Sequence, residues 1–206
     1  MIERLHRAVW RTDHIRVFRS DGNALPRHVS GLTIRDVATL DEWWRPESAL
    51  MQYRDDYFDR RHLARCRERL AIGYRAHIAY LNGRLAHVCW SHRDDVLAAT
   101  ETGRCRLVLP RPATIITDCW TPPELRGRGV YPAVLSRLAT RAGGAWIYCE
   151  AANVASAAGI LKAGFIEEAA FSCRRLLRRF TLAHHVKMCE HCEAALPSKA
   201  ALWGLP

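Results

Sequence analysis

Apolar and polar positions alternate with a period of two along several stretches of this chain, and such alternation predicts β-strands. Asn82-Gly83 lies between two of these stretches, and Asn-Gly between apolar runs is a strong signal for a tight hairpin. Two apolar runs in the second half predict further strands. Together the predicted strands are 13–18, Leu32–Val37, Tyr74–Leu81, Leu85–Ser91, Cys105–Leu109, Ala113–Trp120 and Trp146–Cys149.

Other stretches show helical spacing. Leu63, Cys66 and Leu70 stand at i, i+3 and i+7 within a predicted helix over 55–72. Glycines that favour a helix end follow two further apolar stretches. The predicted helices are 39–44 with Thr39 as its cap, 55–72, Val130–Ala142 and Ala155–Ala163, and a final hairpin pairs Phe165–Ala170 with Phe171–Leu182.

A strand–helix–strand unit over 113–149 requires a crossover connection, which places a parallel strand pair inside a mixed sheet. The fold class is therefore α+β (mixed α/β). The 206 residues, 49% of them hydrophobic, suit one compact domain. We expect that domain to span 1–182, with a tail over 183–206 that contains Cys and His residues.

The net charge is +10, and 28 of the 31 basic residues are arginine, because lysine occurs only at 162, 187 and 199. This charge favours anionic ligands such as phosphate cofactors, acidic carrier proteins or nucleic acid. The sequence contains no run of eighteen apolar residues, so it predicts no membrane-spanning helix. The first residues lack the long apolar core of a signal peptide, so we expect a cytoplasmic protein with reduced cysteines.

The junction between the predicted strand 113–120 and the predicted helix 130–142 carries the most informative motif, Pro123-Glu124-Leu125-Arg126-Gly127-Arg128-Gly129-Val130-Tyr131. The first turn of a helix has N–H groups without helical partners, and glycine lets an anion approach the backbone. Arginine adds charge and paired donors. The motif therefore predicts a binding site for a phosphate-bearing ligand.

This motif resembles the cofactor fingerprint of the GNAT superfamily of acyl-CoA-dependent N-acyltransferases, Arg/Gln-x-x-Gly-x-Gly/Ala. A second family signature follows in the expected order: Asn153, an apolar helix, and Lys162-Ala163-Gly164-Phe165. Together the two signatures cover about residues 113–170, and the hairpin over 74–91 fits the family's layout. The resemblance implies a central mixed, partly splayed sheet flanked by helices on both faces.

The resemblance also implies direct transfer of an acyl group, most simply acetyl, from a CoA thioester to a primary amine of a small molecule. Acetyl-CoA or another acyl-CoA is the expected donor, and no metal is expected. By the resemblance, the amides of Arg128, Gly129 and Val130 bind the diphosphate. The strand edge Cys119–Thr121 pairs with the pantetheine arm. The complete cofactor-binding set is Cys119, Trp120, Thr121, Arg126, Gly127, Arg128, Gly129, Val130, Tyr131 and Asn153.

Two positions depart from the family pattern. Tyr131 occupies the sixth fingerprint position, where Gly or Ala is usual, and it either crowds the helix start or points away from the phosphates. Ile160 stands where many members have a tyrosine that protonates the leaving thiolate. The acid must therefore come from elsewhere or be dispensable.

Strand alternation suggests the proton-transfer groups. It places Ile116, Asp118 and Trp120 on one face of their strand, with Cys119 on the other. Asp118 and Glu150 stand near the carboxyl ends of the predicted parallel strands, where open α/β sheets bind ligands. Either carboxylate is a candidate base. Tyr148 is the candidate acid, with Tyr131 as a second. Candidate residues for an acceptor pocket are Trp43, Trp44, Trp120 and Trp146.

Three alternatives stay open. An acyl-carrier-protein-dependent enzyme would take a longer acyl group, and its acidic donor would suit the basic chain. A basic nucleic-acid-binding module would use His184, His185, Cys189 and Cys192 as a zinc-binding tail, but a complete zinc finger is lacking. A member of the fold that only binds a ligand is the third. The expected partners are a small-molecule amine, with acyl carrier protein and a second copy of the chain as further candidates.

Overall fold

The computed structural model describes residues 10–53, 59–99, 105–176 and 180–188. These residues form eight strands and four α-helices. The strands are β1 (Trp10–Ser20), β2 (Leu32–Val37), β3 (Arg75–Leu81), β4 (Arg84–Ala99), β5 (Cys105–Trp120), β6 (Ala145–Glu150), β7 (Ile166–Leu176) and β8 (Phe180–Met188). The helices are α1 (Leu40–Leu50), α2 (Arg60–Ala71), α3 (Val130–Ala142) and α4 (Val154–Lys162).

The strands form one mixed sheet in the order β2-β3-β4-β5-β6-β1-β7-β8. β5 and β6 run parallel, joined by the α3 crossover, and the other neighbouring pairs are antiparallel. The predicted mixed α/β class and the parallel pair at its centre are confirmed.

Polar side chains and glycine fix the helix ends near the site. Thr39 caps α1, as predicted, through its contact with the amide of Glu42. The Oδ1 atom of Asn153 accepts a hydrogen bond from the amide of Ser156 at 3.0 Å and so caps α4. Gly143 ends α3 at φ 64°, a conformation that glycine adopts without steric cost.

Helices cover both faces of the sheet. α3 and α4 pack on the face that carries Ile116, Ile147 and Cys89. α1 and α2 pack over Val88 and Trp90, the neighbours of Cys89 on β4, and therefore lie on the opposite face. A third cluster, around Ile15, Ile115 and Trp146, fills the space beside β1. Within the described ranges, no helix is long and apolar enough to cross a membrane.

Four strand predictions need correction. β4 continues to Ala99, beyond the predicted strand Leu85–Ser91. β1 is longer than the predicted 13–18 and inserts between β6 and β7, where Val17 faces both Tyr148 and Ala169. The predicted strands at 105–109 and 113–120 are one continuous strand, β5. The predicted division of the last hairpin after Ala170 is wrong, because β7 continues to Leu176.

The predicted tail lies partly in the sheet and partly outside the described residues. β8 continues to Met188, so His184 and His185 belong to a strand that pairs with β7. Cys189 and Cys192 lie outside the described residues. The zinc-binding tail therefore stays a prediction.

Candidate functional site: an opening between β5 and β6

The centre of the sheet opens between its two parallel strands. Among the described residues, β5 pairs with β6 only at Ile115 and Ile116. Just beyond, Asp118 has φ 51°, and the register of β5 against β4 shifts between Val88 and Trp90. Asp is among the few side chains that tolerate this left-handed conformation. The resulting β-bulge bends β5 and ends its pairing with β6.

The bulge also changes which side chains share a face. Strict alternation predicted Asp118 and Trp120 on the face of Ile116, with Cys119 opposite. In the structure Cys119 packs with Ile116 against α3 and α4, whereas Trp120 packs in the α1–α2 cluster. The alternation prediction fails here because a bulge inserts one extra residue into the strand.

A cavity of about 260 Å³ lies in this opening. It brings together six residues predicted for the site, contributed by β5, β6 and the first turns of α3 and α4. They are Asp118, Cys119, Tyr131, Tyr148, Glu150 and Asn153; Thr117, Ile147, Cys149 and Ser156 complete the lining. The cavity lining does not include the other predicted cofactor-binding residues, which are Trp120, Thr121 and the turn 126–130.

The turn before α3 has the backbone that an anion site needs. Gly127 and Gly129 both have φ 76°, and Gly129 is the N-cap of α3 without a side-chain cap. Among the described residues other than its chain neighbours, no atom lies within 4 Å of a Cβ built on Gly127, and a Cβ built on Gly129 meets only Val29 Cγ2, at 3.9 Å. The space above this helix N-terminus is therefore open to a ligand.

Two arginines flank this turn. Arg126 donates from Nε to the carbonyl oxygen of Thr121 at 3.1 Å, which ties the turn to the end of β5. Arg126 and Arg128 are both exposed. Their charge adds to the positive end of the α3 dipole.

Tyr131 points inward from the first turn of α3. Its ring stacks on His87, with 5.4 Å between ring centroids, and its hydroxyl lies 3.1 Å from Ser156 Oγ on α4. Gly159 provides the space, because a Cβ there would lie 2.5 Å from Tyr131 Cδ1. Burial raises the pKa of Tyr131 well above its usual value, so the phenol stays protonated. Tyr131 therefore avoids the phosphate turn and lines the cavity.

The carboxylate of Asp118 interacts with two side chains of α2. Arg69 donates to its Oδ2 atom, and His62 Nε2 lies 3.5 Å from the same oxygen. The side chains of Asp118 and Arg69 are 15% and 16% exposed, so solvent weakens this ion pair little. Burial, opposed by the charge of Asp118, lowers the pKa of His62. His62 and Arg69 were missing from the sequence-based site because only the folded α2 brings them to β5.

Glu150 and Asn153 lie next to each other at the end of β6. The carbonyl oxygen of Glu150 accepts a hydrogen bond from the Asn153 amide at 2.9 Å. Asn153 caps α4 as described above, so its established role is structural. Tyr148 packs beside the Ile15–Ile115–Trp146 cluster and also lines the cavity.

None of the four tryptophans proposed for an acceptor pocket lines this cavity. Trp43 is buried against Trp90, with 5.2 Å between ring centroids. Trp44 is 60% exposed, and Arg45 lies over its ring at 4.9 Å. Trp120 packs edge-on against Tyr53 in the core. Their part in acceptor binding stays a prediction.

Beside Cys119, which was predicted for the site, lie His87 and Cys89, which were not. Burial raises the pKa of Cys89 well above its usual value, and its thiol lies in contact with that of Cys119. Burial lowers the pKa of His87 to about 3, so the imidazole is neutral. His87 and Cys89 stand two apart in a strand, but the approach of Cys119 depends on the bulge.

Comparison with solved structures identifies the fold. A functionally unknown conserved protein from Staphylococcus epidermidis matches with TM-score 0.52 at 10% identity, over 91% of this chain and 66% of that chain. A GNAT-family acetyltransferase from Colwellia psychrerythraea matches with TM-score 0.52 at 11% identity, over 86% of this chain and 55% of that chain. A Drosophila protein matches with TM-score 0.50 at 13% identity, over 85% and 55%.

The chain thus spans between about half and two thirds of the length of these proteins. No protein-family model matches the sequence, and no curated protein matches it significantly. The shared architecture gives the chain a GNAT-like fold. At these identities the likeness is one of fold.

Proposed function

We propose that this protein is an N-acyltransferase that moves an acyl group from a CoA thioester directly to a primary amine. The observation that carries the proposal is the opening between β5 and β6 beside the glycine turn that starts α3. The opening contains a cavity beside the end of β5, and the glycine turn that we propose as the anion site precedes the first turn of α3, whose Tyr131 lines that cavity. GNAT-family acetyltransferase architecture among the structural neighbours supports the same conclusion.

The glycine turn is the proposed diphosphate site. The amides of Arg128, Gly129 and Val130 precede or begin α3, where N–H groups lack helical partners. Gly127 and Gly129 carry no side chain of their own, and a Cβ built on either meets at most one atom of the described residues beyond its chain neighbours, at 3.9 Å. The exposed Arg126 and Arg128 provide charge-assisted hydrogen bonds to phosphate oxygens.

The edge of β5 is the proposed path of the pantetheine arm. Among the described residues, the ladder between β5 and β6 ends at Ile116, before the segment Thr117–Trp120. An extended amide-bearing arm can pair with such an edge as an added strand would. A backbone N–H in this segment would then stabilise the negative charge that develops on the thioester oxygen.

The carboxylates play different parts in this proposal. Asp118 accepts a hydrogen bond from Arg69 through Oδ2, so this oxygen already has a partner in α2. Glu150 lines the same cavity from β6. We therefore assign the removal of the amine proton to Glu150, and we assign to Asp118 the positioning of α2 against the opening.

Tyr131 is the proposed acid that returns a proton to the CoA thiolate. Its phenol is protonated, lines the cavity and shares a hydrogen bond with Ser156. Tyr148 is the second candidate and packs beside the Ile15–Ile115–Trp146 cluster. Tyr131 would thus replace the helix tyrosine that is absent at Ile160.

The size of the cavity favours a short acyl group. About 260 Å³ is at or below the lower limit of typical small-molecule pockets, about 300 Å³, and suits acetyl better than a long chain. The net charge of +10 keeps an acidic carrier protein as a candidate donor. The acceptor is proposed only as a small primary amine.

Isothermal titration with CoA and acetyl-CoA tests the anion site. Gly129→Glu adds a carboxylate where the diphosphate would bind, and we expect CoA affinity to fall at least about tenfold, equivalent to about 1.4 kcal/mol. The matched control is Gly143→Glu, where φ is a similar 64° and a built Cβ meets no atom within 4 Å in the part of the chain that the structure describes. It lies at the other end of α3, about 20 Å away.

Release of the CoA thiol in the presence of an amine panel tests the chemistry. The proposal predicts amine-dependent release in the wild type and in Gly143→Glu, and little release in Gly129→Glu. Binding without amine-dependent release would favour a protein that only binds the ligand. Equal CoA affinity in the two glutamate variants would contradict the site.

A further inference from the structure

A compact group of metal-type ligands lies against the wall of the cavity. A nitrogen of His87 and the Sγ atoms of Cys89 and Cys119 all lie within 4.8 Å of one another. Two of these ligands come from one strand, because His87 and Cys89 are two residues apart on β4 and share a face. The Asp118 bulge turns Cys119 from β5 toward them.

His87 has an unused nitrogen in this group. Its Nδ1 atom lies 2.8 Å from Thr121 Oγ1, while Nε2 is buried with no hydrogen-bond partner among the described residues. The whole residue has 0% exposure. When Nδ1–H donates to Thr121, Nε2 carries a free lone pair, the arrangement that metal-binding histidines adopt. A buried polar atom without a partner destabilises the fold, and a bound cation would remove that cost.

The ligand set favours zinc among common divalent cations. Two thiolates and an imidazole are soft or borderline ligands that suit Zn²⁺ and not Mg²⁺ or Ca²⁺. Tetrahedral zinc with Zn–S bonds of about 2.3 Å holds two sulfurs about 3.8 Å apart. The Sγ atoms of Cys89 and Cys119 are at most 4.8 Å apart, so zinc binding would need to bring them closer by only about 1 Å or less.

Charge balance also fits a buried site. Binding of one Zn²⁺ to two thiols and one neutral imidazole releases the two thiol protons to solvent. The product is a complex with two thiolates and no net charge. A neutral complex avoids the large cost of burying an uncompensated ion beside the apolar α3–α4 cluster.

We propose that His87, Cys89 and Cys119 bind one zinc ion. Three protein ligands leave one tetrahedral position, which is filled from the cavity because Cys119 belongs to the cavity wall. The expectation that this protein holds no metal is thereby revised. The site depends neither on acyl transfer nor on the cysteines of the 183–206 segment.

Cobalt substitution tests the site directly. The full-length reduced chain is freed of metal with a chelator and titrated with Co²⁺. We expect the thiolate-to-cobalt charge-transfer band of a tetrahedral complex, saturating at one equivalent per chain, and displacement of cobalt by one equivalent of Zn²⁺. Zinc should also raise the Tm of the metal-free protein, because the folded site brings the three ligands together and binds zinc more tightly than the unfolded chain does.

Four variants locate the ligands. Cys119→Ser and Cys89→Ser should each lose most of the charge-transfer band and the zinc-dependent rise in Tm. Cys149→Ser removes another cysteine of the same cavity that lies outside the group, and it should keep both. The double variant Cys189→Ser/Cys192→Ser should also keep both.

Circular dichroism establishes that each variant is folded, and Cys119→Ser is the more tolerant substitution because Cys119 is only half-buried. The absence of a charge-transfer band in the wild type would overturn the proposal. A band that survives in Cys119→Ser, or one that disappears in the Cys189/Cys192 variant, would overturn it equally.

Discussion

Gly159→Ala tests whether the ring of Tyr131 is held against α4. A Cβ at Gly159 would lie 2.5 Å from Tyr131 Cδ1 and 2.8 Å from Cε1, whereas ordinary contacts begin near 3.4 Å. The ring would have to move by about 0.9 Å. It is stacked on His87 and hydrogen-bonded to Ser156, so little room exists for that movement.

The expected magnitude follows from two opposing contributions. Overpacking a filled core costs about 1–3 kcal/mol, and Ala instead of Gly inside a helix gains about 1 kcal/mol. In the wild-type background Gly159→Ala should therefore lower the free energy of unfolding by up to about 2 kcal/mol. With Tyr131→Ala the clash is absent, and the same change should raise it by about 1 kcal/mol.

Urea denaturation of the four proteins in this cycle measures the coupling energy, which we expect to be about 1–3 kcal/mol. Tyr131→Phe is the matched control, because it keeps the ring and should keep the penalty. If Gly159→Ala stabilised the wild type as much as the Tyr131→Ala protein, the proposed position of the ring would be refuted.

Two further predictions concern charge. Asp118→Asn keeps a residue that tolerates φ 51° but removes the carboxylate that pairs with Arg69, so it should lower the free energy of unfolding, measured in urea, by at least about 1 kcal/mol. Glu167→Gln removes a more exposed carboxylate and should lower it by less than about 1 kcal/mol. Equal losses in the two variants would argue against a protected Asp118–Arg69 pair. Burial lowers the pKa of His62, His77 and His87 below 6.5, so the unfolded chain binds more protons on acidification. Stability measured with chelator present should therefore fall as pH drops below about 6.5, and a flat profile from pH 7 to 5 would contradict the burial of these side chains.

Local patterns were sufficient for the elements on which the fold depends. Asn82-Gly83 predicted the β3–β4 hairpin, and the glycines after Ala142 predicted the end of α3. The order of strand, Gly-Arg turn and helix predicted the crossover that makes β5 and β6 parallel. These features depend on residues close together in the chain.

Non-local pairing could not be predicted in the same way. The insertion of β1 between β6 and β7 depends on edges formed more than 120 residues later in the chain. The bulge at Asp118 breaks the alternation of faces along β5. It was not predicted, because nothing in the sequence of the strand marks the extra residue. Cys119 was consequently assigned to the wrong face of β5.

The candidate site also combines local features that the sequence predicted with non-local contacts that it did not. The glycine turn was predicted because its chemistry is contiguous in the sequence. His62 and Arg69 reach Asp118 only through the packing of α2. The approach of His87 and Cys119 to within 4.8 Å requires the β4–β5 register. Tyr131 departed from the family fingerprint, and only the absence of a side chain at Gly159 explains how it fits.

The central claim is that a CoA thioester binds in the opening between β5 and β6. A crystal structure of the complex with CoA tests it most directly. We predict the diphosphate on the amides around Gly127 and Gly129, and the pantetheine arm paired with the edge of Thr117–Trp120. A complex with CoA bound elsewhere, or with β6 closed against that edge, would contradict the account.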